Sequence, residues 1–135
     1  MAQIVASQYK AAPDGLSGND DLGQMSAWLV FTALGFYPVA PGSNQYVIGR
    51  PFVNRAALTL PNGKRFTVVA DGLTDANRYV ARVTLNGRAL GRTYLTHEEL
   101  MRGGELRFTM QATPNKAWGT AANARPFSMS TAAAK

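Results

Sequence analysis

Residues 14–35 read DGLSGNDDLGQMSAWLVFTALG, and this stretch governs how the rest of the 135-residue chain is understood. Between Leu22 and Leu34 the apolar residues Leu22, Met25, Ala27, Trp28, Leu29, Val30, Phe31, Ala33 and Leu34 predict a helix. Asp21 and Gln24 have the spacing of a capping box, and Gly35 is placed as the left-handed stop. A helix that is apolar on nearly every face needs neighbours on every side. The chain offers few. Gln3–Lys10 carries a weak helical pattern (Ile4, Val5, Tyr9), and Pro13-Asp14-Gly15 breaks it with turn chemistry. Helix 22–34 is therefore expected to belong to a larger helical assembly.

From Phe36 the texture changes. Pro38 and Pro41-Gly42 form a junction, and short alternating runs follow at Tyr46–Ile48, Ala57–Leu60, Arg65–Ala70, Tyr79–Leu85 and Glu105–Gln111. Pro61-Asn62-Gly63-Lys64 and Asn86-Gly87 are hairpin signals. Thr96 and Glu99 form a second capping box, opening a short helix Glu98–Met101 that ends at Gly103-Gly104. These elements suggest a small antiparallel β-sheet or half-sandwich. The fold class is thus an α+β fragment in three parts: helices over 1–40, with a polar loop at 14–21, a sheet region over 41–119 and an irregular tail over 120–135.

Composition narrows the function classes. The chain is 46% hydrophobic and 16% charged, as globular chains are. No run approaches the ~20 apolar residues of a membrane span, so no membrane partner is expected. Ala2–Ala12 has neither a basic leader nor an apolar run. With no cysteine, disulfides and thiolate metal sites are excluded. The net charge of +6 raises the question of nucleic acid. However, residues 1–49 hold one base (Lys10) against Asp14, Asp20 and Asp21, and beyond them the arginines are spread singly. Phosphate-binding surfaces cluster their bases among exposed aromatics. No nucleic-acid partner is expected.

The densest polar cluster is Gly15-Leu16-Ser17-Gly18-Asn19-Asp20-Asp21, at the mouth of the predicted helix. Adjacent carboxylates repel, and they persist where a cation or a helix dipole offsets their charge. Asn and Asp oxygens suit Ca²⁺, although two residues cannot complete its shell. The spacing is not that of an EF-hand. The plainer reading is that Asp21 caps the helix while Asn19 and Asp20 shape a turn. His97 is the only histidine, so the chain holds no Ser–His or His–metal pair. Glu98, Glu99 and Glu105 read as solvated charges, Trp28 as core and Trp118 as packing at the sheet's end.

Residues 14–41, DGLSGNDDLGQMSAWLVFTALGFYPVAP, resemble the final active-site segment of glycoside hydrolase family 92. The resemblance continues in order through QYVIGRPF (45–52), LPNGKRFTV (60–68), VTLNGRAL (83–90), THEELMRGGELRFTM (96–110) and PNKAWG (114–119). It implies an exo-acting α-mannosidase that attacks mannose-containing glycans from the non-reducing end, inverts the anomeric carbon and needs Ca²⁺. It implies a β-sandwich joined to an (α/α)₆ barrel, with residues 1–40 as the last barrel helices. It also implies that the chain is the last part of a larger enzyme, because Met1 falls inside what would be a barrel helix. Inverting hydrolysis uses a carboxylic acid and a carboxylate base roughly 6.5–9.5 Å apart, with the attacking water between. Asp21 and Asp20 match the family's base region, and Asn19 or Asp20 would lie near the calcium. Base and ligand stay undivided between the two aspartates. The acid glutamate lies upstream in the family and has no counterpart here, so the chain alone is expected to be inactive. Leu22 stands where members often carry Cys. A secreted or periplasmic location is also implied. The missing partner surface would be the rest of the barrel, or a second copy meeting the apolar helix 22–34.

Two other classes compete. A non-catalytic carbohydrate-binding β-module would show exposed aromatics on one sheet face. A basic nucleic-acid binder would gather its arginines on one face.

Overall fold

In the computed structural model, which describes residues 2–132, two turn signals organise the larger sheet. Pro61-Asn62-Gly63 closes a hairpin between β3 (Arg55–Thr59) and β4 (Arg65–Asp71), with Gly63 at φ 77° and the Leu60 N–H donating to the Lys64 carbonyl. Asn86 and Gly87, both at positive φ, close a two-residue hairpin between β5 (Tyr79–Leu85) and β6 (Arg88–Ala89). That pairing of left-handed residues matches the twist of the flanking strands. The last long strand, β8 (Gly104–Gln111), runs antiparallel to β5 and parallel to β4. The sheet is therefore mixed, in the order β3-β4-β8-β5-β6, and not antiparallel throughout as expected. Everything from β5 to the third helix lies in the crossover that a parallel β4–β8 pair requires.

Of a second sheet, the sequence showed only the middle strand, through the run Tyr46–Ile48. This sheet joins β1 (Phe36–Tyr37), β2 (Gln45–Ile48) and β7 (Tyr94–Thr96) in the order β1-β2-β7, all antiparallel. Helix α3 (His97–Met101) follows β7 directly. Its capping box forms as expected, with the Thr96 side chain accepting from the Glu99 N–H and Glu99 accepting from the Thr96 N–H.

The core lies between the sheets. Phe36, Phe66, Val68, Leu95, Leu106 and Phe108 are fully buried, and Phe36 meets Phe66 edge to face at 6.4 Å between centroids. Along β8, Leu106, Phe108 and Met110 point inward while the intervening residues do not, the period-two pattern of a strand with one buried face. Trp118 does pack at the sheet's end, its indole N–H donating to the Leu90 carbonyl at 2.8 Å.

The helices and the tail depart from expectation in places. Helix α2 spans Gln24–Leu34 and begins two residues later than Leu22. Its C-terminal turn is anchored, with Thr32 and Leu34 buried and Phe31 against the core, whereas Val30 is 59% exposed. Gly35 ends it at φ 87°, where an added Cβ would stand 3.0 Å from the Phe108 ring, so both its conformation and its space call for glycine. Helix α1 (Ala2–Gln8) buries none of its residues. The tail is not wholly irregular: a 3₁₀ turn at Ala122–Ala124 buries Ala124, and a short helix α4 spans Met129–Ala132. Residues 133–135 of the expected tail, and Met1, lie outside the described residues. Among the described residues, no helix is long and apolar enough to cross a membrane.

Candidate functional site

The polar loop lies between α1 and α2 and is held at both ends. At its start the Lys10 N–H donates to the Gly15 carbonyl and the Gly15 N–H donates to the Ala12 carbonyl, both at 2.9 Å. Gly15 is buried there, and a Cβ would stand 2.0 Å from the Lys10 carbonyl oxygen. At its end, Asp21, Leu22 and Gly23 all take left-handed conformations, with φ of 51°, 59° and 90°. Two successive non-glycine residues in this region carry strain of about 1–3 kcal/mol each, which other contacts must offset.

The left-handed turn moves the helix cap by one residue. The expected Asp21–Gln24 capping box does not form: the residue before α2 is Gly23, and it makes no side-chain cap. The capping carboxylate is that of Asp20, whose Oδ1 accepts from the Ser26 N–H and from Ser26 Oγ–H, each at 2.9 Å. With three left-handed residues between loop and helix, the acceptor that reaches the free N–H groups of the first turn comes from further upstream. Asp20 is half-buried, while Asn19 and Asp21 are exposed. Gly18 has open space around its Cα.

Two residues that the sequence reading left without a role complete the surroundings. Ser26 engages Asp20, and Tyr9 reaches across from the end of α1. The Tyr9 hydroxyl donates to the Met25 carbonyl at 3.1 Å, and its ring stacks on Trp28 with centroids 5.5 Å apart and planes 11° off parallel. Trp28 in turn meets Tyr37 edge to face at 6.5 Å. Burial, then the nearby Asp20 carboxylate and Tyr37, push the Tyr9 phenol above its ordinary value. Nothing in the sequence marks Tyr9 beyond its place in a weak helical pattern.

As metal donors, Asn19 and Asp20 have the oxygen chemistry that suits a hard cation. One Asp20 oxygen is committed to Ser26, and among the described residues no group of three His, Cys, Asp or Glu side chains could hold a metal by itself. By donor type, Asn19 and Asp20 could supply at most a minor share of the ligands of a hard cation.

The other candidates have structural surroundings. His97 Nδ1 meets the Tyr46 hydroxyl at 2.9 Å, and Glu98 accepts from Asn44. Glu99 is paired with Arg92, and Glu105 with Arg107, which also reaches Asp71. Among the described residues the exposed aromatics are Tyr79 and Phe127, one on the larger sheet and one in the tail, so no row of exposed rings lines a sheet face.

Residues 1–112 match the Glycosyl hydrolase family 92 catalytic domain. The chain belongs to this family. It is 42% identical to an inverting mannosidase of the family from Bacteroides thetaiotaomicron, with a TM-score of 0.85 over 95% of this chain and 17% of that one. A second α-mannosidase of the family from that organism, solved with mannoimidazole, gives 42% identity and a TM-score of 0.89 over 94% of this chain and 17% of the other. A protein of Arthroderma benhamiae described as an uncharacterized secreted glycosidase is 35% identical over 128 residues, 93% of this chain and 16% of its own length. The chain thus spans about a sixth of each of these relatives, and its two sheets and few helices reproduce the corresponding part of the solved family 92 structures.

Proposed function

We propose that this segment supplies the base side of the active site of a secreted, inverting, Ca²⁺-dependent exo-α-mannosidase acting on mannose-containing glycans. The observation that carries this reading is the unequal treatment of two adjacent aspartates. Asp20 turns an oxygen into the first turn of α2, whereas Asp21 stands exposed on a left-handed residue. A general base needs an accepting lone pair facing the water it activates. Asp20 spends acceptor capacity on Ser26, so Asp21 takes the role of base and Asp20 that of positioning the loop. Strained backbone at a polar loop is the pattern of a functional constraint rather than of a plain turn.

Asn19 and Asp20 would contribute to holding calcium. When bound, the ion would supply ligation of two sugar hydroxyls and favour distortion of the ring. Asp21 removes a proton from water on the face of the sugar opposite the leaving oxygen. The acid that protonates that oxygen lies in the part of the enzyme preceding this segment, as does most of the helical barrel to which α1 and α2 would belong. The name of the fungal relative supports a secreted location. The rival carbohydrate-binding module finds no support in the sheet, which lacks a row of exposed aromatics.

The test is made in the whole enzyme that contains this segment. Asp21→Asn should leave the fold intact, because the Asp21 side chain makes no helix cap, and should lower kcat on an aryl α-mannoside by about 10²-fold or more. A near-normal rate at limiting calcium would remove Asp21 from the mechanism. The 135-residue chain alone should show no turnover with Ca²⁺ supplied, and chelator-sensitive release of mannose by the pure chain would overturn its incompleteness.

A further inference from the structure

We propose that Tyr9 is a positioning residue for the loop that carries Asn19, Asp20 and Asp21; its effect on catalysis rests on the reading of Asp21 as the base. The loop is pinned to α2 at two places that prove to be neighbours. At one end the Tyr9 hydroxyl donates to the Met25 carbonyl, and at the other Asp20 accepts from Ser26, the next residue along. The chain from 9 to 20 is thereby closed onto a single turn of helix, with Gly18 and the exposed Asn19 between the two pins.

Tyr9 makes three separate contacts from this one position. Besides its hydroxyl bond, its ring lies flat on Trp28 and its backbone bridges Leu16. Helix packing cannot substitute for them, because α1 buries no residue of its own. The Lys10–Gly15 closure continues directly from Tyr9 and leaves no room for a Cβ at Gly15, so the path of the chain between tyrosine and loop is narrowly set. Displacing a catalytic group by about 1 Å can cost on the order of 10²-fold in rate. Tyr9 therefore controls where Asp21 stands without touching the substrate.

The experiment has two arms. In the whole enzyme, Tyr9→Ala should lower kcat about 10–100-fold with little change in KM. Tyr9→Phe keeps the stacked ring and loses only the donor, so it should recover most of that loss. In the same enzyme, amide hydrogen exchange across residues 15–26 should quicken in Tyr9→Ala while β4 and β8 keep their protection. Unchanged exchange over 15–26, equal loosening of β4 and β8, or, where Asp21→Asn has lost activity, kcat within twofold of the parent would each overturn the proposal. Asp21→Asn is measured alongside. If that variant keeps full activity while the loop still loosens in Tyr9→Ala, the base assignment fails and the Tyr9 anchor of the loop stands.

Discussion

The sheet region and the helical region are built on opposite terms. In the sheets, Phe36, Phe66, Leu95, Leu106 and Phe108 are completely buried by residues of the same chain. In the helical region α1 buries nothing, Leu22 is fully exposed, and Val30 is 59% exposed on a helix whose composition is apolar all round. The sheets are a self-contained core, while the helices leave apolar side chains uncovered by the residues described. The polar loop lies in the second region and depends on a few directed contacts, Tyr9 to Met25 and Asp20 to Ser26, where the sheets depend on buried area.

The sharpest way to break this contrast is at the seam. Phe108 is buried in β8 and faces Gly35 at the end of α2. Phe108→Ala should cost about 3–5 kcal/mol of stability, from lost burial and the cavity left behind. Urea unfolding would read it, and a loss under about 1 kcal/mol would show that the sheets do not carry the fold.

A middle-sized effect concerns pH. Burial raises the Glu99 carboxyl, but the donors from Arg92 and from Thr96 together outweigh it and leave it below its ordinary 4.5. A carboxyl depressed in the folded state contributes stability above its unfolded pKa and loses it as pH falls through the folded value. Thermal stability should therefore decline below about pH 4.5, and Glu99→Gln should start lower at neutral pH and decline less steeply. Parallel melting curves for the two proteins across that range would refute the linkage.

The smallest effect on stability belongs to the open helix face. Val30→Ser should change unfolding free energy by no more than about 0.5 kcal/mol, because the side chain is exposed. It should nevertheless reduce self-association of the isolated chain, which we expect to proceed through the uncovered face of α2. Light scattering that finds the unaltered chain monomeric would mean that the uncovered face needs no partner.

Local chemistry made much of this readable in advance. Tyr79–Leu85 was legible as a strand to the residue, and Gly35 and the Thr96–Glu99 capping box were legible as helix boundaries. Each of these depends on groups within a few positions of one another, and period-two alternation or a Thr-x-x-Glu spacing records such groups directly. The polar cluster at 15–21 was also visible, as a run of carboxylates and a carboxamide before a helix.

Non-local partners decided the rest. β1 has two residues and β7 three, too few to show a period, and they exist as strands because β2 lies between them. The parallel pairing of β4 with β8 joins segments whose first paired residues, Phe66 and Gly104, are far apart in the chain, and no turn signal announces it. The division between Asp20 and Asp21 is of the same kind. By its spacing to Gln24, Asp21 was the expected cap of α2. The capping acceptor became Asp20 because Asp21, Leu22 and Gly23 turn left-handed before the helix begins, and the loop is held in that path by Tyr9 and Ser26. Sequence alone determined which residues bring acceptors to the mouth of the helix. Only the tertiary structure decided which of them faces inward, because that choice depends on backbone dihedrals and on contacts made across the loop.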